Sequence, residues 1–323
     1  MAGAGVGTDG TSFQFAVSEN NWLGRGVKLE SALNISEEKI SGNIMIDNPN
    51  YNYTGNGVKT SLDISSTDRS NSSGFKSSKT GFFLGTSFEQ YENFYIAPNF
   101  TVQFEDIEVD SSASAQIKKM EGNFFNSDLG YSLTVDKRNQ VFKPSQGHIT
   151  SFRQSLPIIQ DSSSILNGLD ISAYHDFSED LIGSLKFHAR AINGLDDDVR
   201  LTNRKYLPKS KLRGFNTYRV GPKDGDDYIG GNYTTAFSAE AQLPNLLPES
   251  YRTDFSLFVD TGNVWGVDYS DSVDETNKLR SAFGMSANVF TTIGPLSFTV
   301  AQDITKASTD ETETFNFRLG TSF

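Results

Sequence analysis

Hydrophobic and polar residues alternate along most of the chain with a period of two. The longest such run places Phe94, Ile96, Phe100, Val102 and Phe104 on one side, with mostly polar residues between them. Alternate side chains of a β-strand point to opposite faces, whereas a helix repeats every 3.6 residues. The pattern therefore predicts an all-β chain.

Turn signals such as Thr8-Asp9-Gly10, Asn48-Pro49-Asn50 and Gly55-Asn56-Gly57 separate the alternating runs. They divide the chain into about sixteen predicted strands, near residues 2–7, 11–20, 26–36, 39–47, 57–67, 79–90, 94–106, 128–136, 147–155, 167–177, 181–193, 230–243, 252–261, 280–292, 295–304 and 313–323. The ninth strand has the weakest pattern. A short helix is expected within Ser111–Met120, after a serine pair suited to cap it.

Two architectures fit alternating strands, a soluble sandwich and a transmembrane barrel with an apolar outer face and a polar lumen. Both permit the charged residues that lie opposite the apolar runs. The longest predicted connections, Ile107–Ser127, Asn193–Ile229 and Gly262–Leu279, all follow odd-numbered strands, so they would lie on one side of a membrane. The strand number and this alternation favour a single antiparallel transmembrane β-barrel over residues 1–323.

Composition narrows the function classes. The 323 residues carry a net charge of −12, with 36% hydrophobic residues and no Cys. No run approaches the ~18 to 20 apolar residues of a membrane-spanning helix. The absence of Cys excludes disulfides and Cys-based zinc sites, and an acidic chain without a basic cluster argues against nucleic acid as a partner. Met1 leads directly into a glycine-rich segment without a secretory signal.

Motifs for enzyme chemistry are weak. Gly3, Gly5 and Gly7 alternate, but Thr8 breaks the G-x-G-x-x-G nucleotide pattern and no helix pattern follows, so a weak first strand is the better interpretation. The chain contains neither H-E-x-x-H nor G-x-S-x-G. A barrel lipase that uses a serine and one of the three histidines stays a minor alternative. We expect no metal and no cofactor.

Two acidic clusters mark predicted loops. They are Asp196-Asp197-Asp198 and Asp224-Gly225-Asp226-Asp227. Carboxylate oxygens suit calcium, but neither cluster has the spacing of an EF-hand loop. We therefore expect solvated charge in both loops. Among the histidines, His188 is expected to line the lumen beside Lys186 and Arg190.

The connection Asn193–Ile229 is the strongest local signal. It is longer than the ~12 to 15 residues above which a loop is usually functional or disordered, and it contains Leu212-Arg213-Gly214-Phe215. If this loop folds into the lumen, Arg213 needs a carboxylate, because an unpaired buried charge is costly. Glu240 and Asp260 lie on the predicted lumen faces of neighbouring strands and suit a guanidinium fork. An exposed arginine in a mobile loop is the alternative.

The last predicted strand is amphipathic and ends on an aromatic residue. Phe315, Phe317, Leu319 and Phe323 alternate with polar residues or glycine. A terminal aromatic residue on such a strand is the usual assembly signal of an outer-membrane barrel. The alternative is a strand that ends in Phe by chance.

The chain resembles the outer-membrane assembly family in which POTRA repeats precede a β-barrel. The resemblance rests on Leu212-Arg213-Gly214-Phe215, Val220-Gly221-Pro222, the segment Phe258–Trp265 and Gly294-Pro295-Leu296, together with the terminal Phe. Asn21-Trp22-Leu23-Gly24 and Asp47-Asn48-Pro49 agree with it near the start. It covers essentially the whole chain, although more glycine is typical before the loop motif, at Leu207–Lys211.

The resemblance implies a sixteen-stranded barrel in the bacterial outer membrane, with the motif loop anchored in the lumen by Arg213 on Glu240 and Asp260. It also implies a lateral gate where the first and last strands pair, at Gly3, Gly5, Gly7, Phe317, Arg318 and Gly320. The implied function is non-enzymatic insertion of unfolded client barrels into membrane lipid, and the alternative is a secretion translocator or passive pore. The POTRA repeats that would bind partner lipoproteins are absent from this sequence.

Overall fold

The chain folds into a closed antiparallel β-barrel. The computed structural model describes residues 2–8, 10–244, 248, 253–269, 273–275, 277–291 and 294–322. Within these ranges sixteen strands pair in a ring. The all-β prediction and the strand number are therefore confirmed.

The ring is formed by strands β1–β11, β14, β15 and β17–β19, and the remaining three strands are short. In chain order the strands are β1 (Ala2–Gly7), β2 (Gly10–Trp22), β3 (Val27–Ser36), β4 (Lys39–Asn48), β5 (Gly57–Arg69), β6 (Phe75–Tyr91), β7 (Phe94–Val109), β8 (Gly122–Asp136), β9 (Gly147–Gln160), β10 (Ser164–Ser178), β11 (Leu181–Gly194), β12 (Lys223–Asp224), β13 (Asp227–Tyr228), β14 (Tyr233–Gln242), β15 (Thr253–Trp265), β16 (Val273–Asp274), β17 (Arg280–Thr291), β18 (Gly294–Thr305) and β19 (Phe315–Ser322).

Each barrel strand pairs with its neighbours in sequence, and β1 pairs with β19 to close the ring. Antiparallel alternation places the connections 110–121, 195–232, 266–279 and 306–314 at one end of the barrel. The predicted first long connection was too long, because β7 continues to Val109 and β8 begins at Gly122. The weakly patterned ninth strand is present as β9.

The two faces of the barrel wall differ as the alternation predicted. On β15 the side chains of Leu257 and Val259 are nearly half exposed on the outer face, whereas Phe258 and Asp260 on the inner face are buried. An apolar outer face next to a polar inner face is the pattern of a barrel set in lipid. No helix in the described ranges is long and apolar enough to span a membrane.

Helical structure is confined to the connections. Among the described residues there are two single turns of α-helix, α1 (Ser70–Ser73) and α2 (Ala115–Lys118), and one 3-10 turn at Tyr51–Tyr53. The helix expected within Ser111–Met120 is thus shorter, and its cap is different. Ser114 accepts the backbone N–H of Ile117 at 3.2 Å, whereas Ser112 donates its hydroxyl to Asp110.

The long connections pack together above one end of the barrel. Strands β12, β13 and β16 form a small sheet, and an apolar cluster lies beneath it, comprising Phe75, Ile107, Ala113, Ile117, Leu201 and Ile229. The expectation of purely solvated acidic loops is wrong at Asp224. Its side chain is 2% exposed and accepts a hydrogen bond from Ser114, because α2 packs directly over it. Asp196, Asp197 and Asp198 are exposed, as expected.

Candidate functional site: the Arg213 anchor and the β1–β19 seam

The loop motif is held by two buried apolar side chains. Leu212 and Phe215 are 1% and 2% exposed, and they form one cluster with Leu207, Val220, Ala236, Val264 and Ala282. Burying a side chain of this size contributes about 1.5–3 kcal/mol. The two residues on either side of Arg213 and Gly214 therefore fix the loop against the inner faces of β14, β15 and β17.

Arg213 binds Asp260 on β15 through three hydrogen bonds. Its backbone N–H and its Nε donate to Oδ2 at 3.0 and 2.7 Å, and its Nη2 donates to Oδ1 at 2.9 Å. Asp260 is 1% exposed. A planar guanidinium that meets both oxygens of one carboxylate fixes orientation as well as charge.

The neighbouring strand completes the charge balance. Glu240 on β14 accepts from Nη1 of Arg213 at 3.0 Å and lies 3.6 Å from Nζ of Lys186 on β11. Ser238 accepts from Nη2 of Arg213 and donates to Asp260. Two cations thus face two carboxylates. The guanidinium also lies 3.5 Å above the ring of Phe258, which adds a cation–π contact in a place shielded from water.

Gly214 is required by the backbone path of the loop. Its φ of +88° lies in a region that other residues rarely adopt, and an added Cβ would lie 3.1 Å from Cβ of Ala301 and 3.2 Å from Cβ of Ala282. The loop can therefore approach β17 and β18 this closely only with glycine at this position. The structure thus brings Leu212, Arg213, Gly214, Phe215, Glu240 and Asp260 together in one site.

Sequence reasoning missed two residues that contact the same loop. Arg280, which opens β17, and Asp310, in the connection 306–314, form a paired ion contact in which both side chains are fully buried. An arginine at an inward-facing position of a strand needs a carboxylate nearby, because an unpaired buried charge is costly. That requirement could have indicated Arg280 as a site residue, but it did not identify Asp310 as the carboxylate that pairs with it.

The seam between β1 and β19 is one of the two shortest contacts in the described ring. Five residue pairs match across it, from Gly3 opposite Ser322 to Gly7 opposite Arg318. The contact of β18 with β19 also has five pairs, whereas β10 and β11 share fourteen. The last strand is therefore joined weakly on both sides.

Glycine lines the inner side of this seam. Gly5 lies opposite Gly320, and Gly7 lies opposite Arg318. An added Cβ at Gly7 would lie 2.5 Å from the carbonyl oxygen of Phe317, whereas one at Gly320 would meet nothing within 4 Å. The close approach of the two strands thus depends on Gly7, and Gly320 leaves empty space beside it.

The aromatic residues of β19 share its outer side. Phe315 stacks on Phe298 and on Phe317, with ring centroids 6.4 and 6.3 Å apart. Leu319 pairs with Val6 across the seam and with Leu296 on β18. Phe323, the terminal residue of the predicted assembly signal, lies outside the described residues.

A second polar cluster lies on the inner wall, away from the loop anchor. His188 contacts Asp170 at 2.7 Å, and Arg190 and Arg153 bind the other oxygen of the same carboxylate at 2.6 and 3.1 Å. The lumen position of His188 beside Arg190 was predicted, but its partner on β10 was not. No group of three or more His, Asp or Glu suited to a metal ion occurs in the part of the chain that the structure describes.

Comparisons with known proteins agree with this architecture. The Omp85 superfamily domain matches residues 21–323. The outer membrane protein assembly factor BamA of Neorickettsia risticii is 26% identical over 257 residues, which is 77% of this chain and 34% of the relative. The sorting and assembly machinery component 50 homologue of Bos taurus is 28% identical over 179 residues, 49% of this chain and 36% of that protein.

A solved structure shares the whole fold. The crystal structure of BamA from Haemophilus ducreyi lacking POTRA domains 1–3 superposes with a TM-score of 0.89 at 21% identity, and the match covers 100% of this chain and 69% of that one. The chain belongs to the Omp85 superfamily, and it is an integral outer-membrane β-barrel. It resembles the BamA barrel throughout and spans about a third of the length of the BamA relative that it matches.

Proposed function

We propose that this barrel inserts client β-barrel proteins into the outer membrane through a lateral gate between β1 and β19. Family membership and the names of the similar proteins support a role in outer-membrane protein assembly. The observation that carries the proposal is the short, glycine-lined seam of five residue pairs.

The physical argument starts from the cost of an open strand edge in lipid. Every backbone polar group of a spanning segment must be hydrogen-bonded, so a half-formed barrel is unstable there. A seam that opens offers a temporary edge, and an incoming strand pairs with it by β-augmentation. Separating five matched pairs leaves far fewer backbone groups without a partner than separating the fourteen between β10 and β11.

The loop anchor distinguishes this proposal from a passive pore. The segment around Arg213 contacts β14 and β15, while Arg69 on β5 lies over the rings of Tyr206 and Tyr218 in the same connection. A loop that reaches strands so far apart around the ring occupies the lumen. An open diffusion pore needs that space to be free, so the secretion translocator or pore is the weaker alternative.

The proposal also defines the partners. Lipid covers the apolar outer face, and unfolded client barrels pair at the seam. Assembly lipoproteins would bind through POTRA repeats. The work is non-enzymatic, since the folding of the client supplies the free energy.

Cysteine pairs test the gate directly, because the chain contains no Cys. Leu319 lies opposite Val6 across the seam and opposite Leu296 on β18. In the full-length protein, oxidation of the Val6→Cys/Leu319→Cys pair should block insertion of client barrels, and reduction should restore it. Oxidised Leu296→Cys/Leu319→Cys is the matched control and should leave insertion unchanged. Full activity with the seam oxidised would exclude the lateral gate.

A further inference from the structure

We propose that the connection 306–314 transmits the docking of the Arg213 loop to the seam, with Arg280 and Asp310 as the positioning residues that hold it. This inference rests on the proposed function for its biological meaning. Its structural basis is independent, because one short segment contacts the anchored loop and then continues into the last strand, β19.

Arg280 and Asp310 fix this connection to the barrel wall. Nε and Nη2 of Arg280 donate to Oδ2 and Oδ1 of Asp310 at 2.9 and 3.1 Å. Nη1 of Arg280 donates to Asn263 and to the carbonyl oxygen of Lys278. Both charged side chains are 0% exposed, so neither can replace its partner with water.

The carboxylate of Asp310 also joins the connection to the motif loop. It accepts the backbone N–H of Ala307 at 2.6 Å within its own segment. It accepts the backbone N–H of Gly221, in the motif loop, at 3.4 Å. Near the same point the hydroxyl of Tyr228 donates to the carbonyl oxygen of Thr309 at 2.5 Å. One buried side chain therefore holds both segments in place.

Backbone hydrogen bonds then join the two segments side by side. Phe215 and Thr312 form an isolated antiparallel bridge. The N–H of Glu313 donates to Gly214 at 3.0 Å, and the N–H of Asn216 donates to Glu311 at 3.0 Å. The loop motif is thus extended by a short strand-like partner that lies immediately before β19.

The same segment reaches β1. Glu313 binds Lys209 in the motif loop at 2.7 Å and accepts from Asn316 on β19 at 3.0 Å. Asn316 also donates to the hydroxyl of Thr8 in the turn after β1, and the backbone N–H of Thr8 donates to Phe317 at 3.1 Å. A continuous set of contacts therefore runs from the loop, through Glu313 and Asn316, to the first strand.

The geometry predicts that loop release and seam opening are linked. When Asp310 holds its segment, residues 311–313 are fixed by the loop and β19 is presented to β1 at its upper end. When that hold is lost, the five-pair seam must keep β19 in place alone. Neighbouring groups that share one network have non-additive effects, and double mutants reveal them.

Two separate reporters measure the two ends. Val220 is 3% exposed in the docked loop, so the labelling rate of Val220→Cys by a maleimide reports loop release. The oxidation rate of Val6→Cys/Leu319→Cys reports seam closure. Each reporter is introduced into a separate copy of the full protein in liposomes, so that neither variant contains the cysteines of the other.

Asp310→Asn should raise labelling at position 220 about tenfold and slow seam oxidation about threefold or more, in the range of coupled neighbours. Arg213→Ala should do the same, and the double variant should oxidise at the rate of Asp310→Asn alone. Asp136→Asn, which breaks the Arg138–Asp136 ion pair at the other end of the barrel, is the control and should change neither rate.

A second comparison guards against poor folding of Asp310→Asn. Glu311 is exposed, and its N–H donates to Arg219 in the loop at 3.1 Å. Glu311→Pro removes that donor, whereas Glu311→Ala keeps it. Both variants lose the side-chain contacts of Glu311 with Arg219 and Asn216, so seam oxidation should be slower in the proline variant than in the alanine variant.

Three outcomes would overturn the inference. The first is a faster labelling rate at position 220 with unchanged seam oxidation. The second is multiplicative effects in the Arg213→Ala/Asp310→Asn double variant, as expected for two merely structural losses. The third is equal behaviour of the two Glu311 variants. Failure of the proposed function is a different result, in which clients insert normally while the seam is held oxidised.

Discussion

Arg213 donates from its backbone and from its side chain to the same carboxylate, that of Asp260. The contact therefore fixes the path of the chain at Arg213 as well as its side chain. A lysine at this position would keep the charge and the backbone bond, but it would lose the two-pronged contact with both oxygens of Asp260.

Arg213→Ala should release the loop and destabilise the barrel. Breaking one side of a buried ion pair costs on the order of 3 kcal/mol, because the remaining charge stays buried. We expect the folded band on gels to disappear at a lower temperature, and we expect faster proteolysis within residues 195–229. The unfolding temperature of Arg213→Lys should fall between those of the parent protein and Arg213→Ala. Arg25→Ala, at an exposed turn residue, should match the parent protein. Unchanged melting and proteolysis of Arg213→Ala would show that the loop is held by its apolar residues alone.

The strands were accessible from local sequence rules, whereas the partners of Arg213 were accessible only with the family resemblance, which implied a loop inside the lumen. Period-two alternation gives strand faces, and a face decides which carboxylates point inward. Arg280 with Asp310 was not accessible, because Asp310 lies in a connection without a repeating pattern, so nothing in the sequence indicates where its side chain points. The burial of Asp224 was missed for the same reason, since it depends on how two distant loops pack.

Gly7 and Gly320 should respond differently to the same substitution. An alanine methyl group at Gly7 would meet the carbonyl oxygen of Phe317 at 2.5 Å, so β1 and β19 would have to move apart. We expect Gly7→Ala to slow oxidation of Val6→Cys/Leu319→Cys severalfold. Gly320→Ala has open space around its Cβ and serves as the matched control. Equal oxidation rates in both variants would mean that the close approach at Gly7 does not limit pairing.

The acidic loop should make stability at this end of the barrel depend on pH. Burial, and then the neighbouring carboxylates Asp224, Asp226 and Asp110, raise the pKa of Asp227 above its usual value. A raised folded-state pKa gives stability that is present below the unfolded pKa and lost as pH rises through the folded one. The ionised form therefore destabilises the loop at neutral pH.

Asp227→Asn removes this cost, so it should slow loop proteolysis at pH 7 and converge with the parent protein near pH 4. The measurement uses one protease that is active over this range. Asp197→Asn, at an exposed residue of the other acidic cluster, controls for the change in net charge. A benefit of Asp227→Asn that persists unchanged at low pH would argue for a packing effect in place of an electrostatic one.

The end of β19 combines two roles that a single variant can separate. Phe315, Phe317 and Leu319 share one outer side of the strand, so they contribute to lipid contact whatever their part in recognition. Phe323 completes the predicted assembly signal, which acts only where a machine reads it. Deletion of Phe323 should therefore slow assembly of this protein in cells while refolding in detergent changes little, and Phe323→Tyr, which keeps an aromatic end, should restore assembly. An equal loss in cells and in detergent would instead indicate that Phe323 stabilises the barrel itself.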